Sequence, residues 1–252
     1  MALRPPTDRF HERILAIGAS GAGKSTAGLE IAKRLPDGSR MFVLDTDAAW
    51  GRMLWDEGID DRVVHLPAYD WSDYEKAART ILDDATPADW VVIDMASAIW
   101  AAAQAHFVED VFGTSVADHY IQARKNLKPG AKSLEALQGW TDWSAINAAY
   151  RDITHPLFFK LRAHLLTITG METLGRDEAD KSMRLWFGAH GIKPAGQKNL
   201  AHSHHTVLMF GESPPGTYWI TSIKDRKRKY VERKEIRNFV TGYLVHIAGW
   251  RP

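Results

Sequence analysis

The sequence predicts an α/β fold in which a mainly parallel sheet lies between two layers of helices. Over about the first hundred residues, short apolar segments alternate with segments of helical spacing. Continuously apolar strands are typical of a parallel sheet that is buried on both faces. A glycine-rich loop between the first strand and the first helix favours the same class, because such loops bind phosphate in α/β folds. Two apolar segments near the C-terminus, separated by a proline- and glycine-rich turn, predict late antiparallel strands.

The first strand, loop and helix are predicted at residues 14–17, 18–25 and 26–35. The loop reads Gly-Ala-Ser-Gly-Ala-Gly-Lys-Ser and fits the phosphate-binding pattern G-x-x-x-x-G-K-[ST] at every fixed position. Its glycines allow backbone N–H groups to turn toward phosphate oxygens, and the helix N-terminus adds partial positive charge. Lys24 is expected to reach the β- and γ-phosphates, and Ser25 to bind Mg²⁺. The residues predicted to contact the nucleotide are Gly18, Ser20, Gly21, Ala22, Gly23, Lys24, Ser25 and Thr26.

Acidic residues end two of the next predicted strands. Because the carboxyl ends of parallel strands share the sheet edge where ligands bind, we expect Asp45, Asp47 and Asp94 near the phosphate loop. Asp94 is predicted to support Mg²⁺, and Asp47 to orient or deprotonate an attacking water. The alternatives are a helix-capping Asp94 and a pair of solvated turn acids at Asp45 and Asp47. The predicted strands are 40–45, 62–66 and 90–94, and a helix is predicted at 73–83.

The middle of the chain, from about residue 98 to 158, is predicted to be a helical and basic insertion within a single domain that spans residues 1–252. The basic residues at positions 124–132, with Trp140 and Trp143 nearby, resemble a surface that binds single-stranded nucleic acid through phosphate contacts and base stacking. Ordinary loop and core positions are the alternative for these side chains.

The C-terminal part of the chain is predicted to complete the sheet and then to end in a helix. A strand is predicted at 164–169, and an antiparallel pair at 207–210 and 218–221, joined by the turn at 211–216. The last predicted element is a helix at 232–248. His202, His204 and His205 lack the spacing of a zinc site, which favours polar or strand-entry positions.

A dense run of charge at residues 224–229 follows the last predicted strand, and three interpretations are open. It forms a solvated face, or it binds nucleic-acid phosphates, or Lys224 and Arg226 reach a nucleotide held by a neighbouring subunit. Lys224 and Arg226 are two positions apart, so on extended backbone they point to the same side.

Composition limits the classes of function that remain open. The chain has 252 residues, which suits one α/β domain, and its formal net charge of +1 does not indicate a polyanion partner. It has no cysteine, which excludes disulfides, thiol catalysis and cysteine-ligated zinc. We find neither a signal-peptide pattern nor an apolar segment long enough to span a membrane, and so we expect no membrane association and a cytoplasmic protein.

These motifs, in this order, resemble the RecA-like P-loop ATPase superfamily, and the chain is most similar to its small phage-encoded members, which include single-strand-annealing recombination ATPases. Residues 42–47 resemble the family strand that ends in Asp-x-Glu, with Asp47 at the position of the catalytic glutamate. Residues 90–98 resemble the metal-binding strand, and residues 192–202 with 207–210 resemble the segment that returns to the sheet after a DNA-facing loop. Residues 221–226 resemble a K-x-R finger, formed here by Lys224 and Arg226, that acts across a subunit interface.

The resemblance implies a three-layer RecA-like core and an ATPase that uses ATP and Mg²⁺. It also implies a homo-oligomeric ring or filament that acts on single-stranded DNA in phage recombination, annealing or replication, in the host cytoplasm. Lys24, Asp47, Asp94, Lys224 and Arg226 are the implied catalytic residues, and Ser25 and Asp94 the metal-site residues.

Two departures from the family pattern leave alternatives open. Asp47 is one methylene shorter than glutamate, and the strand at 164–169 lacks the usual Gln or His sensing residue, for which Thr169 or Glu172 could substitute. A small-molecule (nucleotide or metabolite) kinase, and a nucleotide-binding assembly module with negligible turnover, are the alternative functions.

Overall fold

The computed structural model describes residues 2–6, 11–126, 140–175, 180–227 and 229–251. The strands are β1 (Arg13–Gly18), β2 (Met41–Asp45), β3 (Val63–Pro67), β4 (Trp90–Asp94), β5 (His164–Thr169), β6 (Met171–Thr173), β7 (Ile192–Pro194), β8 (Thr206–Glu212), β9 (Tyr218–Asp225) and β10 (Lys234–Glu235). The helices are α1 (Lys24–Ala32), α2 (Ala49–Glu57), α3 (Trp71–Asp84), α4 (Ala96–Phe112), α5 (Val116–Lys125), α6 (Trp140–His155) and α7 (Lys181–Phe187). Two π-helical segments lie at Pro156–Lys160 and Val240–Val245.

The central sheet confirms the predicted fold class. Its strands lie in the order β10-β9-β8-β1-β5-β4-β2-β3. Every neighbouring pair from β8 to β3 is parallel, whereas β9 runs antiparallel to β8, and β10 antiparallel to β9. The chain is therefore an α/β protein with a mainly parallel sheet and late antiparallel strands at one edge, as predicted.

Helices cover both faces of this sheet and complete three layers. Successive side chains of a strand point to opposite faces, so Ile14 and Ala16 of β1 enter one core while Leu15 and Ile17 enter the other. The first core is closed by α1, α2 and the C-terminal π-helical segment. The second is closed by α3, α4, α6 and α7. Burial on both faces explains why these strands are apolar throughout.

The strand register brings the polar strand ends to one edge of the sheet. Asp45 of β2 lies opposite Asp94 of β4, and Gly18 of β1 lies opposite Phe210 of β8. Because β9 is antiparallel, it begins at this carboxyl edge with Tyr218. It ends near the opposite edge, where Lys224 pairs with Val207 near the start of β8.

The prediction of one long helix at 232–248 is wrong in its first half. Lys234 and Glu235 instead form β10, paired with Ile220 and Trp219 of β9. Helical backbone starts only after Asn238, whose side-chain oxygen accepts the Thr241 N–H at 3.1 Å. Such capping favours a helix start at this position, and the segment before it satisfies its backbone groups on the sheet.

Two further parts of the chain differ from the sequence prediction. Helix α2 was not predicted, and only Trp50 and Leu54 of it are buried. Residues 192–202 with 207–210 resemble a segment that returns to the main sheet, and 207–210 do lie in a strand of that sheet, but Ile192–Pro194 pairs with Met171–Thr173 in a separate two-stranded sheet. The return to the main sheet is made by β8, which lies beside β1.

Between β4 and β5 the described residues are mainly helical, in α4, α5 and α6. The basic positions from Lys128 to Lys132 lie outside the described residues, and the division into one domain with an insertion stays a prediction. No described helix combines the length and apolar character that crossing a bilayer requires.

Candidate nucleotide-binding site

A cavity of about 260 Å³ opens at the carboxyl edge of the sheet, above the end of β1 and the start of α1. Every residue that was predicted to contact nucleotide lines it, and so do Asp47 and Asp94. The remaining lining residues are Met95 and Gly170, which follow β4 and β5. The topology thus gathers the ends of four segments that are far apart in sequence around one cavity.

The loop that forms the floor of this cavity has the shape that its glycines allow. Gly21 and Gly23 have φ angles of +80° and +86°, which residues with a side chain rarely adopt. Helix α1 starts directly after Gly23, so its free N–H groups and its positive dipole end face the cavity. This arrangement suits a bound phosphate chain.

Lys24 lies at the bottom of the cavity and is bound to the loop itself. Its Nζ donates to the carbonyl oxygens of Gly18 at 2.8 Å and Ala19 at 2.7 Å. The side chain is 7% exposed, and burial lowers the pKa of its ammonium group, an effect that the Asp94 carboxylate opposes. A desolvated cation that lines the cavity and is held by loop carbonyl oxygens can exchange these oxygens for phosphate oxygens.

Ser25 and Asp94 meet on one side of the cavity. The Ser25 hydroxyl donates to Asp94 Oδ2 at 2.6 Å. Asp94 is buried, which raises the pKa of its carboxyl group, whereas the hydrogen bond from Ser25 lowers it. A hydroxyl and a carboxylate are oxygen ligands of the kind that Mg²⁺ takes, so this pair fits the predicted ion. Within the described part of the chain, no group of three or more His, Asp or Glu side chains forms a metal cluster, and phosphate and water oxygens would supply the other ligands.

Asp45 and Asp47 have different surroundings although both follow β2. Asp45 is fully buried, and its Oδ2 bonds to His65 Nε2 at 2.8 Å, so the alternative interpretation as a solvated turn acid does not hold for this residue. Asp47 is exposed and lines the cavity. Desolvation and the neighbouring Asp45 carboxylate raise the pKa of Asp47. Of the two, only Asp47 can meet a water beside bound phosphate.

Trp50 is a site residue that the sequence analysis missed. Its indole N–H donates to Asp94 Oδ2 at 3.0 Å, and the ring is completely buried. Trp50 lies on α2, whose apolar residues Trp50, Met53 and Leu54 have helical spacing and face the first core, but neither that spacing nor a motif connects Trp50 with Asp94.

A second cavity, of about 150 Å³, adjoins the first and shares Ala22, Gly23 and Thr26 with it. Its outer wall comes from the start of β9 and from the segment between β10 and the C-terminal helical turns. This wall contains both aromatic rings and polar groups, and the sequence analysis did not predict it. The lining residues outside α1 and the phosphate loop are Phe210, Tyr218, Ile236, Arg237, Asn238 and Phe239.

Glu30 of α1 holds that outer wall in place. Its carboxylate accepts a hydrogen bond from the backbone N–H of Phe239. Burial raises the pKa of Glu30, and the hydrogen bond from Phe239 opposes this effect. The segment that follows β10 is thereby tied to the helix that starts at the phosphate loop.

Lys224 and Arg226 lie away from the phosphate loop of their own chain. Lys224 Nζ donates to the carbonyl oxygens of Ala201 at 2.9 Å and His204 at 2.7 Å, and it lies 5.0 Å from the centre of the Trp186 ring. Burial first, and then nearby arginines, lower the pKa of Lys224 to about 8. Arg226 is exposed and directly follows β9. The structure therefore does not bring these two residues together with Lys24, Asp47 and Asp94 within one chain.

The histidines before β8 have structural contacts rather than zinc-site geometry. His204 is fully buried, with Nδ1 2.9 Å from the Leu200 carbonyl oxygen and Nε2 2.8 Å from the Thr167 hydroxyl. Burial lowers the pKa of His204 to about 3, so the ring is neutral near pH 7. Its neutral ring joins the turn before β8 to the middle of β5.

Thr169 and Glu172, the possible substitutes for a sensing residue, lie at the end of β5 and in β6, respectively. The Thr169 hydroxyl donates to the Ala195 carbonyl oxygen at 3.0 Å, and Glu172 Oε1 accepts from the Gly196 N–H at 3.4 Å. Gly170, between them, lines the phosphate cavity. Both side chains thus connect the end of β5 with the segment that follows β7, and a sensing role for either stays a prediction.

The predicted basic and aromatic surface is only partly within the described residues. Trp143 of α6 is 40% exposed and stacks on Trp100 of α4, with ring centres 6.3 Å apart. Arg124 and Lys125 are exposed at the end of α5, which has no buried residue. Nothing is described of positions 127–139 or of the Trp140 side chain.

No protein-family model matches the chain. No curated protein sequence matches it either. Among solved structures the chain is similar to one described as a RadB recombinase, with 15% sequence identity and a TM-score of 0.48. The alignment covers 86% of this chain and 83% of that one.

Proposed function

We propose that the chain is a Mg²⁺-dependent ATPase of the RecA-like type that works as a homo-oligomer on single-stranded DNA. The observation that carries the proposal is the contact of 2.6 Å between Ser25 Oγ and Asp94 Oδ2, beside Lys24 in the phosphate-loop cavity. A metal-binding hydroxyl, a supporting carboxylate and a phosphate-binding ammonium are the groups that phosphoryl transfer requires.

Each residue of the cavity has a role in this proposal. The phosphate loop and the α1 N-terminus bind the phosphate chain, and Lys24 neutralises charge on the β- and γ-phosphates. Ser25 and Asp94 hold Mg²⁺, which supplies further neutralisation of phosphate charge when it is bound. Asp47 orients the attacking water and accepts its proton, a role that its exposure and its raised pKa support.

ATP hydrolysis should be measured with Mg²⁺ or with EDTA, and with or without single-stranded DNA. The proposal predicts phosphate release that requires Mg²⁺ and that rises when DNA is added. Transfer of phosphate to an added nucleoside or nucleotide would mean a kinase. Tight ATP binding without phosphate release, even with DNA, would mean an assembly module.

Oligomerisation is proposed because, among the residues that the structure describes, Lys24 of the phosphate loop is the only cation that lines the phosphate cavity, and neither Lys224 nor Arg226 of the same chain reaches it. Arg226 is exposed near the sheet edge opposite the phosphate loop, so it can reach only the nucleotide of another chain. We assign the finger role to Arg226 rather than to Lys224, because the ammonium group of Lys224 is already bound by carbonyl oxygens of its own chain. Sedimentation with and without ATP and DNA tests this assembly.

Binding of single-stranded DNA is proposed for the helical side of the molecule. Tyr120 and Trp143 are 42% and 40% exposed, and Arg124 and Lys125 lie at the end of the same helix as Tyr120. Exposed rings beside cations suit base stacking and phosphate contact. Anisotropy of a labelled oligonucleotide should fall on salt addition and on Trp143→Ala substitution; binding that neither change weakens would contradict this surface.

The second cavity is proposed to take the nucleoside part of ATP. Tyr218 is 38% exposed and lies about 3.5 Å from the position of a β-carbon built on Gly23, so its ring adjoins the phosphate loop. Tyr218→Ala is expected to raise KM for ATP roughly tenfold with little change in kcat, because stacking contributes to ground-state and transition-state binding alike. The measurement is steady-state hydrolysis over a range of ATP concentrations.

Tyr230→Ala is the matched control for this substitution. Tyr230 is an exposed tyrosine beyond the far end of β9, and we expect its removal to leave KM unchanged. Equal KM values for the two variants would exclude Tyr218 from the nucleoside site.

A further inference from the structure

We infer that Trp50 is a positioning residue that holds the Asp94 carboxylate and joins it to the loop bearing Asp47. The inference deepens the proposed function and rests on it, because it assigns the two carboxylates of that site a common support. Because the Trp50 ring is completely buried, it contacts neither bound nucleotide nor solvent water.

Trp50 makes two hydrogen bonds that reach both sides of the site. Its indole N–H donates to Asp94 Oδ2 at 3.0 Å, and its backbone N–H donates to Asp45 Oδ2 at 3.2 Å. Asp45 Oδ1 in turn accepts the backbone N–H of Asp47 at 3.3 Å. One chain of hydrogen bonds therefore runs from the metal-side carboxylate, through Trp50 and Asp45, to the backbone of the residue that faces the attacking water.

The packing around the Trp50 indole ring fixes its position. The ring is completely buried, against α1. A β-carbon built on Gly28 of α1 would lie 2.8 Å from Trp50 Cη2, which is closer than real β-carbons approach other atoms. Because buried rings of this size cannot shift without disturbing their neighbours, the indole N–H has a fixed direction.

The shared acceptor explains what this fixed donor does. Asp94 Oδ2 accepts from both Ser25 and Trp50, at 2.6 Å and 3.0 Å. If Ser25 gave up this hydrogen bond in order to hold Mg²⁺, the indole N–H would still bind the Asp94 carboxylate. A carboxylate that is bound by a fixed donor keeps its geometry, and partners of this kind usually affect metal affinity strongly.

A spectroscopic test reads the Trp50–Asp94 bond without catalysis. The protein has ten tryptophans, and ¹H–¹⁵N correlation spectra resolve their indole N–H groups; Trp50→Phe identifies the signal of interest. In Asp94→Ala protein we expect this signal to move upfield more than any other indole signal, because its charged acceptor is lost. An unchanged Trp50 signal in folded Asp94→Ala protein would overturn the inference.

A kinetic test compares two buried tryptophans. Trp50→Phe removes the donor, and we expect the Mg²⁺ concentration for half-maximal ATP hydrolysis to rise about tenfold, with a smaller fall in kcat at saturating Mg²⁺. Trp90→Phe is the control. Trp90 is also fully buried, but it lies at the start of β4, at the opposite end of the strand from Asp94, and its ring stacks on His164 with ring centres 5.0 Å apart. Trp90→Phe should reduce stability without changing the Mg²⁺ dependence.

The two tests separate this inference from the proposed function. Wild-type protein that hydrolyses no ATP would contradict the ATPase proposal, while the indole spectra would still decide whether Trp50 holds Asp94. Hydrolysis with the same Mg²⁺ dependence in wild type and folded Trp50→Phe would leave the ATPase proposal intact and overturn the positioning role.

Discussion

Lys24→Ala is expected to lower kcat for ATP hydrolysis roughly a thousandfold, which is the upper range for removal of a single group that stabilises transition-state charge. Lys24 is the only cation among the described residues that line the phosphate cavity. Its ammonium group is desolvated and points along the loop, where it donates to Gly18 and Ala19. Negative charge on the transferred phosphate would then develop without a fixed countercharge. Single-turnover hydrolysis with pre-bound ATP measures this loss directly.

The control for Lys24→Ala is a lysine at the other end of the same helix. Lys33 follows α1 and forms a partly exposed ion pair of 2.6 Å with Glu57. Such pairs contribute little to stability, so Lys33→Ala should hydrolyse ATP at the wild-type rate. Residual activity of Lys24→Ala within about tenfold of wild type would contradict the assigned role of Lys24, given that removal of one such donor usually has a much larger effect. Circular dichroism of both variants checks that the fold is retained.

The phosphate side of the candidate site could be predicted from the sequence because it depends on local geometry. A loop that wraps around phosphate needs glycines at fixed positions, and Gly21 and Gly23 indeed have positive φ angles. Asp94 could be predicted as well, because a buried parallel strand that ends in acid must present that acid at the ligand-binding edge. Both patterns lie within a few consecutive residues.

Trp50 and the second cavity could not be predicted, because they depend on contacts between segments that are far apart in sequence. Trp50 reaches Asp94 across 44 positions, and Glu30 bonds to Phe239 across 209. A single sequence has no local pattern that encodes such pairs. The helical pattern that led to the prediction of 232–248 failed for a similar reason, since pairing with β9 outweighs local helical preference at Lys234 and Glu235.

Arg226→Ala is expected to lower the DNA-stimulated kcat of the assembled protein roughly a thousandfold, the lower range for an arginine that completes a phosphoryl-transfer site in trans. Arg226 is suited to this role because it is exposed, while the backbone before it is fixed by β9 and by a hydrogen bond of 3.2 Å from its N–H to the His205 carbonyl oxygen. Arg79→Ala removes an exposed arginine of α3 and should have no comparable effect. A wild-type kcat in assembled Arg226→Ala protein would show that Arg226 does not take part in hydrolysis.

A mixture of two inactive variants distinguishes a finger that acts in trans from an arginine that acts only within its own chain. Arg226→Ala protein keeps an intact phosphate cavity, and Lys24→Ala protein keeps an intact Arg226, so a site formed between them has every group. With random assembly at equal amounts, about one quarter of the interfaces in a head-to-tail oligomer pair these halves correctly, and activity should recover to about that fraction of wild type. Co-sedimentation of differently tagged variants confirms that mixed oligomers form. A mixed interface contains an intact Lys24 from one chain and an intact Arg226 from the other. If mixed oligomers have no more activity than the separate variants, Arg226 therefore does not act on the nucleotide of the neighbouring chain.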